Sequence, residues 1–152
     1  MPFVFGVDPG DKKSGTALLG SVWPIYRVVP NAELLALLPG ASWHVVIEEF
    51  VPHRQRYGGE IRETTRLIDT LMALWSGGVE SLVLVKRNTV LKHFDCLKPV
   101  WNEDTGQYFK RDTLLREAVL ERLGPLKGAN HHVYSAISVA LWRGDTLRED
   151  GK

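Results

Sequence analysis

The feature that most constrains this fold is an apolar strand that ends in two carboxylates. Residues 43–49 read WHVVIEE, and Glu48 and Glu49 close the run. Consecutive apolar positions are typical of a strand covered on both faces, so we expect a central place in a sheet. Buried carboxylates are usually paired or metal-bound, which favours a cation or a basic partner over simple exposure to solvent. Because side chains alternate along a strand, Glu48 and Glu49 point to opposite faces, and at most one of them joins such a site.

The order of predicted elements indicates a mixed α/β sheet with helices on its faces. Three strands at 3–7, 16–19 and 22–29 form a meander, and Pro24 favours an edge position for the third strand. Asn31 is predicted to cap a short helix at 31–38. The spacing of hydrophobic residues, together with glycine and proline residues that end helices, then predicts a strand at 82–85 and helices at 60–76, 88–94, 112–123 and 133–143. The irregular stretch 95–109 is long for a compact domain, which suggests function or mobility.

Length and composition exclude several classes of protein. A chain of 152 residues predicts one domain, which we place at 1–144, followed by a frayed tail at 145–152. The lone Cys96 excludes an intramolecular disulfide and a cysteine zinc cage, and no membrane span or secretion signal is predicted. We therefore expect a cytoplasmic protein. The formal net charge of +1 neither favours nor excludes a nucleic-acid partner.

The segment GVDPGDKKSG brings Asp8 from the end of the first strand into a glycine-containing turn. A carboxylate in this position suits a divalent cation, and Gly10 and Gly15 allow a tight turn or a close approach to phosphate. An ordinary Asp-Pro-Gly turn explains the same residues. The motif alone leaves both interpretations open.

Two histidines, His131 and His132, stand at the start of the last predicted helix. Either ring is a candidate metal ligand if carboxylates lie nearby, although a histidine here is more often a core or capping residue. Which ring faces the site depends on where the helix begins. Asp112, at the start of the preceding helix, is most simply a capping or first-turn residue.

Basic residues cluster locally although the total charge is balanced. Aromatic residues lie among these clusters, and such a mixture suits phosphate contacts and base stacking, although a basic run is often only a solvated face. The candidate DNA-binding residues are Phe50, Arg54, Arg56, Tyr57, Lys86, Arg87, Lys92, Lys98, Lys110 and Arg111.

Taken together, these segments resemble the RuvC family of Holliday-junction resolvases, in the ribonuclease-H-like superfamily. Its short bacteriophage members are the most similar. The resemblance runs over 3–142 and rests on GVDPG with a following glycine, the apolar strand ending in Glu, VKRNTVLKHF, KRDTLLREAVLERLG and HHVYSAISVALW. It implies a ribonuclease-H-like five-stranded sheet, three antiparallel strands followed by parallel ones, flanked by helices.

The resemblance also implies a site for two Mg²⁺ ions, with Mn²⁺ as a substitute. Asp8 matches the first acid of the family and Glu48 the second, with Glu49 as the fallback. On the last helix His132 matches a position where some members carry His, and His131 is its alternative. Ser135 stands where the family carries a further acid, with Ala136 following. This departure predicts weaker metal binding or a preference for Mn²⁺.

The activity implied is metal-dependent cutting of four-way DNA junctions during recombination and repair, by a homodimer whose two cuts are related by symmetry. The helix at 60–76, with Leu71, Met72 and Trp75, is either the dimer interface or a helix packed on its own sheet. Phe50 or Tyr57 is a candidate wedge between bases.

Other functions remain open at this point. Flaps or replication forks are alternative substrates, and a phage origin would place the protein in host cytoplasm. A branched-DNA-binding protein with a weakened catalytic site is the main alternative. A sugar-kinase-type nucleotide site needs two domains, and 152 residues are too few for them.

Overall fold

The computed structural model describes residues 2–20, 22–49 and 58–151, except for the side chains of 58–60. Its strands are β1 (Val4–Asp8), β2 (Lys13–Leu19), β3 (Ile25–Pro30), β4 (His44–Glu49), β5 (Ser81–Lys86), β6 (Trp101–Asn102) and β7 (Gln107–Tyr108). Its helices are α1 (Asn31–Leu35), α2 (Gly58–Trp75), α3 (Arg87–His93), α4 (Arg111–Leu123) and α5 (His131–Asp150). None of the helices described here is both long and apolar enough to cross a membrane.

The main sheet has five strands in the order β3-β2-β1-β4-β5. The first three strands pair antiparallel, whereas β4 pairs parallel with both β1 and β5. This confirms the predicted mixed sheet. As Pro24 indicated, β3 lies at an edge, and β4 is an interior strand whose Val45, Val46 and Ile47 are fully buried.

Helices cover both faces of the sheet. On one face α1 and α2 bury Leu34, Leu71 and Trp75 against the odd-numbered positions of β1 and β4. On the other face α3, α4 and α5 pack against the even-numbered positions, including Val4 and Val46. The side chains of β1 and β4 alternate between two cores, one on each face of the sheet. Any polar residue at an even position of these strands therefore faces α5.

Helix α5 packs directly on the backbone of β1 and β2, because glycines face it. A Cβ at Gly6 would lie 2.2 Å from the carbonyl oxygen of Ala136, and a Cβ at Gly15 would lie 2.2 Å from that of His132. Both distances are far below van der Waals contact, so a side chain at either position would push the helix away. The two glycines thus set the distance between α5 and the sheet.

Two predictions about the elements are wrong, and a third point that the sequence left open is decided. Asn31 does not cap α1; Pro30 is the N-cap, and the Asn31 side chain bonds to the loop after β1. Of the two alternatives for the helix at 60–76, packing on its own sheet is confirmed, because Leu71 and Trp75 are buried in the core of this chain and Met72 packs beside them. The stretch 95–109 contains the β6-β7 pair.

The predicted frayed tail at 145–152 is helical through Asp150. Asp145 holds it in place, because its carboxylate accepts hydrogen bonds from Arg122 at 3.0 Å and lies 2.7 Å from the His93 ring. Burial raises the pKa of Asp145, but the hydrogen bonds from Arg122 and His93 outweigh it and hold the pKa below its usual value. These partners come from α3 and α4, which sequence spacing does not reveal.

Replacing Gly6 by alanine should destabilise the protein by about 1–3 kcal/mol, because the added methyl overpacks the contact between β1 and α5. Urea unfolding measures the change. Gly78→Ala is the matched control, since a Cβ there has its nearest neighbour at 3.7 Å. Equal midpoints for the two variants would contradict the close packing of α5.

Candidate active site

The ends of β1 and β4 bring Asp8 and Glu48 to the same edge and the same face of the sheet. The parallel register pairs Gly6 with Val46 and Val7 with Ile47, so Asp8 and Glu48 follow at the next position. Both side chains point toward α5 and are largely buried, at 16% exposed for Asp8 and 11% for Glu48. Glu49 is the next residue along the strand and points to the opposite face. The structure thus brings together Asp8 and Glu48, and leaves Glu49 apart.

The loop after β1 is held by two polar side chains. Ser14 accepts a hydrogen bond from the Gly10 amide at 3.2 Å and donates one to Asn31 Oδ1 at 2.8 Å. Asn31 Nδ2 in turn donates to the Gly10 carbonyl at 2.9 Å. This closed set of bonds ties the loop to the start of α1 and fixes the backbone that follows Asp8.

His132 is the histidine that reaches the carboxylates. Its Nδ1 lies 3.0 Å from Asp8 Oδ2, whereas His131 is exposed and stacks beside it at 4.0 Å between ring centroids. Asn130 caps α5 by accepting from the Val133 amide at 3.1 Å, which sets where the helix starts and therefore which ring points inward. The hydrogen bond with Asp8 raises the pKa of His132.

Arg87 enters the site from the end of β5. Its Nη1 donates to Ser135 Oγ at 3.2 Å and lies 3.5 Å from Glu48 Oε2, and its Nη2 pairs with Asp112. At 3.5 Å the contact with Glu48 is an ion pair without a good hydrogen bond. Glu48 Oε2 is accordingly a buried oxygen that no group in the described residues hydrogen-bonds. Ser135 is itself buried, so its hydroxyl serves as the acceptor for Arg87.

The pKa of Glu48 is raised to about 7, first by burial and then by the negative charge of Asp8, which together outweigh the lowering effect of Arg87. A carboxyl with this pKa is partly protonated near neutral pH. The cause is the crowding of two carboxylates in a poorly hydrated position. Such perturbed acids are typical of functional sites, although ion-pair networks produce them too.

The donor set fits a divalent cation at Asp8 and Glu48. Two carboxylates that repel each other, one of them with a buried oxygen lacking a hydrogen bond, are the oxygen ligands that Mg²⁺ or Mn²⁺ takes. His132 is the nearest nitrogen donor. Within the described residues no three His, Cys, Asp or Glu side chains already form a group that could hold an ion, so side chains would have to move for three of them to bind one. A second ion fits poorly, because Ser135 offers no charge and Arg87 lies against it.

An open pocket adjoins Arg87 on the side of α4 and α5. Arg87, Arg116, His131, Tyr134 and Ser135 are among its lining residues. Two guanidinium groups, which suit the oxygens of a phosphate, therefore line this pocket together with the Asp112 carboxylate.

The predicted DNA-binding residues lie in different places in the structure. Those outside the described residues are Phe50, Arg54, Arg56 and Tyr57. Lys86, Lys92, Lys98, Lys110 and Arg111 are exposed, and Lys98 lies 3.6 Å from Asp95. Arg87 alone among the described ones turns inward to the carboxylates, a position that the sequence reading did not assign to it.

Sequence reasoning also missed the roles of Asp112, Ser14 and Asn31. Asp112 is a first-turn residue of α4, as predicted, but its side chain pairs with Arg87. A signal for Arg87 was available, because it directly follows the strand that pairs in parallel with β4, and the carboxyl ends of parallel strands share one edge.

The similarity of this chain to known proteins lies in its fold. No protein-family model and no curated protein sequence matches the chain. Among solved structures, Thermus thermophilus RuvC in complex with a Holliday junction substrate is similar, with a TM-score of 0.67 and 17% identity over 97% of this chain and 96% of that one. The chain has the RuvC fold. A further Thermus thermophilus RuvC structure has a TM-score of 0.65 and 19% identity, with the same coverage of both chains. The RuvC fold thus accounts for nearly all of the chain, as the resemblance implied.

Without divalent metal, the stability of the protein should fall as pH rises from about 5 to about 7. The native state binds the Glu48 proton more tightly than the unfolded chain does, so the stabilisation present below the unfolded pKa of 4.5 is lost up to the folded pKa of about 7. Urea unfolding across this range, with EDTA, measures it. The difference in unfolding free energy between wild type and Glu48→Gln should change with pH over this range, because the contribution of His132 is common to both proteins. Parallel pH profiles would contradict the raised pKa.

Proposed function

We propose that this protein is a metal-dependent endonuclease that hydrolyses phosphodiester bonds in branched DNA, with the four-way junction as its main substrate. The observation that carries the proposal is the buried pair of Asp8 and Glu48 at adjacent strand ends of a RuvC fold. The similar Thermus structure, described as a complex with a Holliday junction substrate, supports the choice of substrate.

In this proposal Asp8, Glu48 and His132 hold the divalent ion. When bound, the ion would activate water and stabilise the charge that develops on the phosphate. Asp8 orients the His132 imidazole through its Nδ1, and the same hydrogen bond raises the pKa of the ring.

The exposed basic residues would bind the DNA backbone. Lys110 and Arg111 precede Asp112, which contacts Arg87, so they lie beside the site rather than across the molecule. Lys86 ends the strand before Arg87, and Lys92 lies on the next helix. Phosphate contacts from such residues would position the duplex without reading its sequence. Two symmetric cuts would need a homodimer.

A second candidate is a branched-DNA-binding protein of the same fold with weakened catalysis. Ser135 in place of an acid, and the ion pair of Arg87 with Glu48, favour it. It would keep the basic surface and lose the cutting.

A labelled four-way junction should be nicked symmetrically with Mg²⁺ or Mn²⁺, and Asp8→Asn should reduce the rate at least about 100-fold, because a carboxylate that would hold the ion is lost. Gel analysis of junction, flap, splayed-arm and linear substrates measures this. Asp69→Asn, an exposed acid on α2, is the matched control and should leave the rate unchanged.

The outcomes separate the candidates. Tight junction binding without metal-dependent cutting would reject the nuclease in favour of the binding protein. Flaps and forks cut as fast as the junction would make the protein a general branched-DNA endonuclease.

Activity should be higher with Mn²⁺ than with Mg²⁺ at limiting metal concentration, because the ligand set includes a nitrogen donor and lacks one carboxylate. Rates measured in parallel titrations of the two ions test this. Equal half-saturation in the low micromolar range would contradict it.

A further inference from the structure

We propose that the Arg87 guanidinium is a built-in second cation of this site, so that each chain binds one divalent ion and Arg87 supplies the other positive charge to the phosphate. The inference rests on the proposed phosphodiester hydrolysis and specifies how this chain would carry it out. It concerns the departure of this chain from the two-ion arrangement that the resemblance predicts.

The first support is where the guanidinium lies. Arg87 comes within 3.5 Å of Glu48 Oε2 and donates to Ser135 Oγ at 3.2 Å, so it spans the second carboxylate and the position where an acid was expected. A hydroxyl accepts a hydrogen bond from a guanidinium without adding charge. Ser135 and Arg87 therefore form a hydrogen-bonded pair at the position where the resemblance predicts an acid.

The second support is that Arg87 is held from both sides. Asp112 pairs with Nη2 on the side of α4, while Glu48 and Ser135 contact Nη1. Moving the side chain out would break both ion pairs and would leave the buried Glu48 without its cation. A second metal ion would have to displace a fixed positive charge and would find no carboxylate at Ser135.

The third support is access to substrate. The Arg87 side chain is 30% exposed, and it lines the pocket that Arg116, His131 and Tyr134 share. Arginine presents several N–H donors in a planar fork that matches phosphate oxygens. A phosphate in this pocket would meet Arg87, whose guanidinium also contacts Glu48 of the carboxylate pair.

The direct test is the number of Mn²⁺ ions bound by the wild-type protein. Calorimetric titration together with electron paramagnetic resonance should give one tightly bound ion per chain, with the spectrum of an isolated ion. Two ions about 3.5–4 Å apart would give a spin-coupled spectrum and would overturn the proposal. This measurement needs no substrate and no variant.

A double substitution tests why the chain binds one Mn²⁺ ion rather than two. Arg87→Gln combined with Ser135→Asp should create a second Mn²⁺ site, because it removes the fixed charge and adds a carboxylate. Arg66→Gln, at an exposed arginine on α2, should still bind one ion. A folded double variant that keeps one ion would overturn the proposal.

Chemical rescue tests the role of the charge. Arg87→Ala should reduce junction cutting about 100- to 1000-fold, as the loss of a transition-state donor does. Guanidinium chloride at tens of millimolar should restore part of the rate, whereas urea at equal concentration should not. A folded Arg87→Ala protein that guanidinium fails to rescue would contradict the role of Arg87. Wild-type protein that cuts nothing would contradict the proposed function, while the ion count would still decide this inference.

Discussion

The close packing of α5 on β1 and β2 is the contact on which the rest of the structure depends. Gly6 and Gly15 let the helix backbone approach to distances that no side chain would permit. This approach buries Ala136, Val139 and Ala140 against the sheet and carries His132 to within hydrogen-bonding distance of Asp8. A helix only slightly farther from the sheet would keep a core but would separate the histidine from the carboxylate. Core packing and site geometry therefore share one cause.

A second constraint is electrostatic. Placing Asp8 and Glu48 side by side in a poorly hydrated position is unfavourable, and the pKa of Glu48, about 7, reflects it. The chain offsets this with two positive or titratable groups, since His132 contacts Asp8 and Arg87 lies against Glu48. These contacts offset part of the repulsion between the two acids without metal. Binding a cation would therefore exchange some of these partners as well as add a charge.

The alternation of side chains along β1 and β4 gives the sheet two faces that both carry core residues, but only one of them carries the acids. Odd positions build the core with α2, and even positions build the core with α5 and end in Asp8 and Glu48. Leu71 and Trp75 of α2 pack on the odd face, so they are core residues rather than a partner surface. It also explains why Glu49, although adjacent in sequence, belongs to the other face. Asn31 shows the limit of local rules, because its side chain holds a loop distant in sequence instead of capping its own helix.

The sequence by itself determined the mixed sheet, the interior position of β4, the edge position of β3 and the placement of acids at the ends of β1 and β4. These follow from hydrophobic patterns, turn residues and strand alternation, all of which act over a few residues. Only the tertiary structure decided that His132 rather than His131 faces Asp8, that Arg87 turns inward to Glu48 and Ser135, and that α5 continues to Asp150. Each of these depends on partners far away in the chain. Their positions are set by how closely the helices pack on the sheet, which local patterns do not encode.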